Sequence, residues 1–373
     1  MKIGIDASRA AIPKRTGTEA YAYHLIQALL PLARQRGHRV RLYYNRPPAS
    51  PISAEIPNTT AITIPFPRLW THIRLAAELH RNPPDIFFTP AHVIPFSYFG
   101  RSVATVHDLG YHDFPEAHTP SQVRQLTWST RHNAQRSRLV LADSQATKRD
   151  LGRYYKIDTA KVQVVYPGYD QALSPVTDFA RLQAVQRKHE IQAPYLLFLS
   201  TIQPRKNVGR IVAAFAQIAD RIPHQLVLAG KLGWLSEPIV AAIEQLDEPI
   251  QTRIRLTGFV DDADKAALLS GATALVYPSL FEGFGFPILE AQACGTAVIS
   301  ADNSSLPEVA GDSAHLISAE STPQLANAML KLTTDDAYRQ TLVAKGNNNI
   351  QRFSWRQAAA QTLDILEQAS DAQ

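Results

Sequence analysis

Residues 277–295, YPSLFEGFGFPILEAQACG, constrain the fold of this chain more than any other stretch. An apolar strand signal over 274–277 runs into a segment rich in glycine and proline. A helix signal begins at Pro287, where proline costs little because a first-turn N–H has no intrahelical partner. Strand, glycine loop and helix in that order is how a parallel sheet delivers backbone N–H groups and a positive helix end to an anion. Gly283 and Gly285 let the backbone approach a ligand closely. Glu282 stands in the loop and Glu290 about one turn inside the helix, so the two carboxylates can face one elongated ligand at two heights. Carboxylates accept hydrogen bonds from vicinal hydroxyls, which suits a sugar at one end and a ribose at the other.

The same order recurs along the chain. Strand signals at 2–6, 40–44, 85–89, 103–106, 139–142 and 162–166 alternate with helix signals, among them 70–81, 121–135 and 144–155, until Pro167-Gly168 breaks the run. A second series follows, with strands at 195–200, 225–230, 253–259, 274–277 and 297–301 and helices at 207–220 and 261–272. Strands alternating with helices imply parallel sheets. At 373 residues the chain exceeds one ordinary core, so two α/β domains are expected, joined by a linker at about 169–193. A final amphipathic helix signal starts at Trp355.

Ligand chemistry is expected at the carboxyl ends of the strands. Gly17 stands at the first strand-to-helix turn, and His107 follows the strand at 103–106, where it can line a crevice. Asp108 is expected to accept a loop-orienting hydrogen bond. His107-Asp108 and His112-Asp113 resemble metal ligands in spacing, but an ordered third site is missing. Arg205 and Lys206 arrive just before a helix, a fork and a compact charge suited to a pyrophosphate. The Gly-Lys pair of AGKLGW is not a P-loop, because the rest of that motif is absent.

Charge is unevenly placed. Residues 1–170 carry 22 Lys+Arg against 12 Asp+Glu, a balance of +10, whereas residues 171–373 carry 16 against 21, a balance of −5. A basic first half suits an anionic leaflet or a phosphorylated acceptor. Nucleic acid is not expected, since zinc-finger spacing, RNA-binding aromatic motifs and a long basic helix are all absent. The single cysteine, Cys294, excludes an internal disulfide framework. Asp6 in the first apolar run argues against a signal peptide, and no apolar stretch approaches the roughly 20 residues that span a bilayer. The expectation is a cytoplasmic protein, peripheral on the inner membrane face.

The segments PRKN, PSLFEGFGFPILEA and SSLPEVAG, with Glu282 and Glu290 eight positions apart, resemble the retaining glycosyltransferases of family GT4. The likeness spans nearly the whole chain and is strongest over 195–311. It implies the GT-B fold, with two Rossmann-like domains facing a central cleft. Residues 1–170 would bind the acceptor and 171–354 the nucleotide-sugar donor, with a helix at 355–370 returning to the first domain. By resemblance, His107 faces the transferred sugar, Arg205 and Lys206 hold the donor diphosphate, Glu282 binds the sugar hydroxyls and Glu290 the ribose. Backbone groups at Gly17, Phe284, Gly285 and Phe286 approach the donor, and Phe259 and Val260 form the edge that meets the nucleobase. At Gly17 the chain reads TGTEAYAY where relatives often show two close glycines and an arginine, so Gly17 alone is carried over. The family works without a bound metal or other cofactor. Likeness to bacterial mannosyltransferases of surface polysaccharide makes GDP-mannose the first expected donor and a UDP-hexose the second, with a glycan or lipid-linked acceptor. A nucleotide-sugar epimerase and a catalytically silent sugar-nucleotide binding protein remain as alternatives on the same architecture.

Overall fold

Parallel sheets bury both faces of their strands, and this is where the apolar runs lie. A computed structural model describes residues 1–373 other than Lys14, Thr16, 49–51, 53–55, Pro67 and 372–373. In it β1 (Lys2–Asp6), β2 (Arg39–Tyr44), β3 (Thr59–Thr63), β4 (Ile86–Thr89), β5 (Ser102–Val106), β6 (Leu139–Ala142) and β7 (Val162–Val164) form one sheet, in the order β3-β2-β1-β4-β5-β6-β7. A second sheet holds β8 (Tyr195–Leu199), β9 (Gln225–Ala229), β10 (Ile254–Gly258), β11 (Ala274–Tyr277), β12 (Ala297–Ala301) and β13 (His315–Ile317), in the order β10-β9-β8-β11-β12-β13. Each sheet is parallel, with registers such as Ile5↔Leu42 and Leu275↔Val298.

The strand orders locate the ligand crevices. In each sheet the chain winds outward in one direction and then in the other, so the order reverses between β1 and β4 and between β8 and β11. Open α/β sheets bind ligands outside the carboxyl ends of strands at such a reversal. The loops that leave β8 and β11 carry Arg205, Lys206 and Glu282.

Two compact units result. One comprises Met1–Asp113, His118–Gly168 and the chain from Phe353 onward; the other comprises Phe114–Ala117 and Tyr169–Arg352. Within the first unit the helix Trp355–Asp371 packs on the helix Gly17–Gln35. Arg36 bridges Asp364 at 2.6 Å and Glu367 at 2.8 Å, and His38 Nε2 lies 2.6 Å from Glu367 Oε1. A Cβ at Gly168 would stand 2.2 Å from the Trp355 backbone nitrogen, so the return of the chain requires glycine there.

Several expectations are corrected. The stretch 169–193 is not a bare linker: it belongs to the second unit and carries the helix Phe179–Lys188, capped by Asp178 and held there by Lys188 Nζ, 2.6 Å from Asp264 Oδ2. The helix expected at 70–81 begins as a π turn, Thr71–Leu75, before Ala76–Arg81. The helix expected over 207–220 divides into Val208–Ala216 and a 3₁₀ turn, Ala219–Arg221. Among the described residues no helix is long and apolar enough to cross a membrane.

Candidate active site

The loop after β8 turns through Pro204–Lys206 and reverses at Asn207, whose φ of 60° is left-handed. Asparagine tolerates that region because its short side chain bonds locally. Asn207 Nδ2 donates to Pro278 O at 3.0 Å and to Ala319 O at 2.7 Å, and Leu280 N donates to Arg205 O at 2.9 Å. These bonds fasten the loop after β8 to the loops after β11 and β13.

The result is a buried charge cluster. Lys206 Nζ lies 2.5 Å from Glu282 Oε1, and the Tyr277 hydroxyl donates to the same oxygen at 2.8 Å. Arg205 Nη1 lies 3.2 Å from Glu282 Oε2 and also donates to the Phe281 carbonyl. Lys206 and Glu282 are each 7% exposed, which rules out a solvated surface pair. Burial by itself opposes ionisation of Glu282, but Lys206 and Arg205 outweigh it and bring the carboxyl down to about 2. Two cations against one carboxylate leave the cluster positive, as an anionic ligand requires.

The loop of Glu282 is itself fixed. Ser304 Oγ accepts from Glu282 N at 3.0 Å, and Ser305 Oγ donates to Glu282 O at 2.9 Å and to Phe284 O at 2.7 Å. Gly285 then enters the helix Phe286–Ala293 at φ 120°, and a Cβ there would stand 2.9 Å from Leu306 Cδ2. Pro287 occupies the first turn of that helix. Glu290 Oε1 accepts from Lys265 Nζ at 2.7 Å. Burial lowers the pKa of Lys265, but the charge and hydrogen bond of Glu290, together with the charges of Asp262 and Asp170, outweigh it and the net shift is upward. At the end of β10, Gly258 has φ 70° and the Phe259 ring that follows is about half exposed, next to Val260.

In the first unit His107 leaves β5 with both ring nitrogens facing acceptors. Nδ1 lies 2.6 Å from Asp143 Oδ2 and Nε2 lies 2.9 Å from Pro90 O. Burial depresses the imidazole pKa, but Asp143 more than restores it and the net shift is upward. Thr147 Oγ1 donates to His107 O at 3.0 Å, and the Tyr21 ring meets the imidazole edge-on at 4.7 Å. Asp108 Oδ1 accepts from Gly110 N at 3.1 Å. Gly17 is the first residue of its helix, and among the described residues a Cβ there would meet no atom within 4 Å beyond its chain neighbours and its own helix backbone. His112 and Asp113 pair with the hydroxyls of Tyr155 and Tyr154, and among the described residues no group of three His, Cys, Asp or Glu is arranged to hold a metal.

Residues 15–173 match the family model described as Glycosyltransferase Family 4, and residues 193–335 match that of Glycosyl transferases group 1. The chain belongs to glycosyltransferase family 4. O-antigen chain mannosyltransferase B of Escherichia coli is 28% identical over 299 residues, which span 79% of this chain and 78% of that one. Sucrose-phosphate synthase of Thermosynechococcus elongatus is similar in structure, with a TM-score of 0.77 at 21% identity over 98% of both chains. Anabaena HepE in complex with UDP-glucose has a TM-score of 0.72 at 19% identity, over 98% of this chain and 100% of that one. The fold is GT-B, and the protein is an enzyme that transfers a sugar from a nucleotide sugar.

In this glycosyltransferase the structure brings Arg205, Lys206 and Glu282 into direct contact. It also adds partners that sequence reasoning missed. Tyr277 ends a buried strand and reads as core, yet its hydroxyl completes the cluster. Lys265 and Asp143 lie 25 and 36 positions from Glu290 and His107, so no local pattern joins them.

Proposed function

We propose that this enzyme moves a hexose, mannose from GDP-mannose in the first place and a hexose from a UDP-sugar in the second, to a hydroxyl of a glycan or lipid-linked acceptor, with retention of the anomeric configuration. The mannosyltransferase name of the Escherichia coli relative supports the first donor, and the UDP-glucose held by Anabaena HepE supports the second. Surface polysaccharide or glycoconjugate synthesis is the matching setting. The basic balance of the first 170 residues supports an acceptor met at an anionic membrane surface.

The observation that carries this reading is the cluster of Arg205, Lys206, Tyr277 and Glu282. Departure of the diphosphate is the barrier, with negative charge growing on its oxygens as the sugar ring becomes positive. Arg205, Lys206 and the N–H groups around Phe284, Gly285 and Phe286 are aimed to stabilise that charge, in the role a divalent ion plays elsewhere. A carboxylate offers about four lone-pair sites, so Glu282 can orient Lys206 and Arg205 and still accept from the sugar hydroxyls. Glu290, oriented by Lys265, accepts from the ribose, and Phe259 and Val260 border the base. His107, fixed by Asp143 and Pro90, faces the transferred sugar, and the backbone at Gly17 approaches the donor phosphates and the acceptor. Because Glu282 is held by two cations, it is a poor nucleophile, and the leaving phosphate takes the acceptor proton.

Thermal stabilisation by GDP, UDP, ADP and their sugars, measured with EDTA present, tests this. A ligand in hundredfold excess over Kd adds roughly 2.7 kcal/mol to stability. One nucleotide should stabilise the wild type far more than Arg205→Ala or Glu290→Ala. Equal shifts in all three proteins, or none, would remove the donor site.

A further inference from the structure

The first unit exposes apolar side chains that its sheet has no use for. Phe99 is 77% exposed and Leu69 66%, with Ile73, Phe96 and Trp128 between 41% and 49%. Single exposed apolar residues are ordinary, but contiguous ones mark interaction surfaces. Here the rings touch in sequence: His72 stacks on Phe96 at 4.1 Å, Phe96 meets Trp128 at 4.5 Å, and Trp128 stacks on His132 at 5.4 Å. The Arg136 guanidinium covers the Phe99 ring at 4.4 Å.

This outward display is built in. Asn133, in the helix Pro120–Arg136, is buried; its Oδ1 accepts from Ile94 N at 2.9 Å and its Nδ2 donates to His92 O at 2.8 Å. Arg136 donates twice to Tyr98 O, at 3.0 and 2.9 Å. The loop after β4 is therefore clamped to that helix with Phe96 and Phe99 facing outward.

Charge decides the occupant. The segments 56–77, 86–107 and 117–142 contain seven arginines and no lysine, aspartate or glutamate. Arg68, Arg74, Arg101, Arg124 and Arg131 are exposed. Arg124 and Arg131 stand four residues before and three after Trp128, on the same helical face. Aromatic rings fringed by cations, with no carboxylate in these segments, match a surface whose phosphates overlie hydrocarbon.

The geometry points to a docking face for an anionic phospholipid surface, with Phe96, Phe99 and Trp128 at the acyl boundary and Arg124 and Arg131 on the headgroup phosphates. It deepens the reading above, on which it rests, that the acceptor is met at a membrane.

Co-sedimentation with phosphatidylcholine vesicles, with and without phosphatidylglycerol, tests it on the full chain. The wild type should bind the anionic vesicles far more strongly, and Arg124→Gln/Arg131→Gln should lose about fivefold in affinity for each charge removed. Phe99→Ser/Trp128→Ser should bind weakly at any lipid charge. Both variants should keep wild-type donor stabilisation and wild-type transfer to a lipid-free acceptor. Equal binding of the wild type to both vesicle types overturns the proposal, as does wild-type vesicle binding by either variant. A raised KM for the lipid-free acceptor with vesicle binding intact would make the face a sugar platform instead. Should no donor stabilise the enzyme while the variants still lose vesicle binding, the docking face stands and the transfer reading falls.

Discussion

Lys206 Nζ stands 2.5 Å from Glu282 Oε1, with both residues almost wholly removed from solvent. Taking away one partner of such a pair leaves a buried charge and costs about 3–5 kcal/mol, while replacing both with apolar groups costs far less. Glu282→Leu, which leaves the Lys206 and Arg205 cations facing each other with no carboxylate between them, should therefore unfold at markedly lower urea concentration than the double variant Lys206→Met/Glu282→Leu. The double variant should lose transfer by about 10²–10³-fold, the loss typical of one preorganised donor at a developing anion. Additive stability losses in a double-mutant cycle would show that Arg205 and Tyr277, not Lys206, hold Glu282.

The same pair sets an acid limit. Folding lowers the Glu282 pKa from 4.5 to about 2, so its contribution is present above the unfolded value and fades as pH falls through the folded one. Urea midpoints followed from neutral pH down through that window should fall more steeply for the wild type than for Glu282→Gln. Parallel curves would mean that Glu282 titrates alike in both states.

Lys265 has no part in the motif that reveals Glu290, yet its ammonium is 2.7 Å from that carboxylate. If Glu290 accepts from the ribose as proposed, removing Lys265 frees it to rotate away. Lys265→Ala should raise the donor KM by about tenfold, equivalent to 1.4 kcal/mol, with kcat less affected. In Glu290→Ala the same substitution should add little, because the two act as one unit. A full tenfold loss in that background would give Lys265 its own contact with the nucleotide.

Lys265 and Asp143 show what a linear reading leaves out. β11 and β12 are legible to the residue because each is a fully buried run in the middle of a sheet, apolar throughout but for Ser300. β3, TTAIT, and the three-residue β13 are edge strands with partly exposed positions, so the apolar signal fades in both. The helix Phe179–Lys188 buries little besides Val185 and reads as linker for the same reason. Arg205, Lys206 and Glu282 stand out because loops at the carboxyl ends of adjacent strands hold unusual residue types. Their partners Tyr277, Ser304 and Ser305 look like strand and turn residues and acquire a role only through contacts across the fold.

His107 and Asp143 predict a pH effect of opposite sign. The imidazole pKa rises on folding, so the imidazole's contribution is complete below the unfolded value of 6.5 and is lost as pH climbs through the folded value, while burial raises the Asp143 carboxyl too and ends the ion pair on the acid side. Proton NMR should find His107 titrating above 6.5 in the wild type and lower in Asp143→Asn. The stability gap between the two proteins should narrow toward alkaline pH. A gap that widened would place the imidazole neutral at Asp143, with the proton on Nδ1 and no ion pair.

Two glycines separate folding from ligand approach. Gly285 has φ 120° and a neighbouring Leu306 methyl 2.9 Å from where a Cβ would lie, so Gly285→Ala should destabilise by about 1–3 kcal/mol, the cost of a strained backbone. Among the described residues Gly17 has no such neighbour within 4 Å, and it opens a helix, where alanine is at least as favourable. Gly17→Ala should therefore fold as well as the wild type. If the backbone at Gly17 approaches the donor phosphates, its added methyl occupies ligand space, and transfer should fall while thermal stability without ligand holds. Unchanged transfer would reduce Gly17 to the start of a helix and leave the donor to the second unit alone.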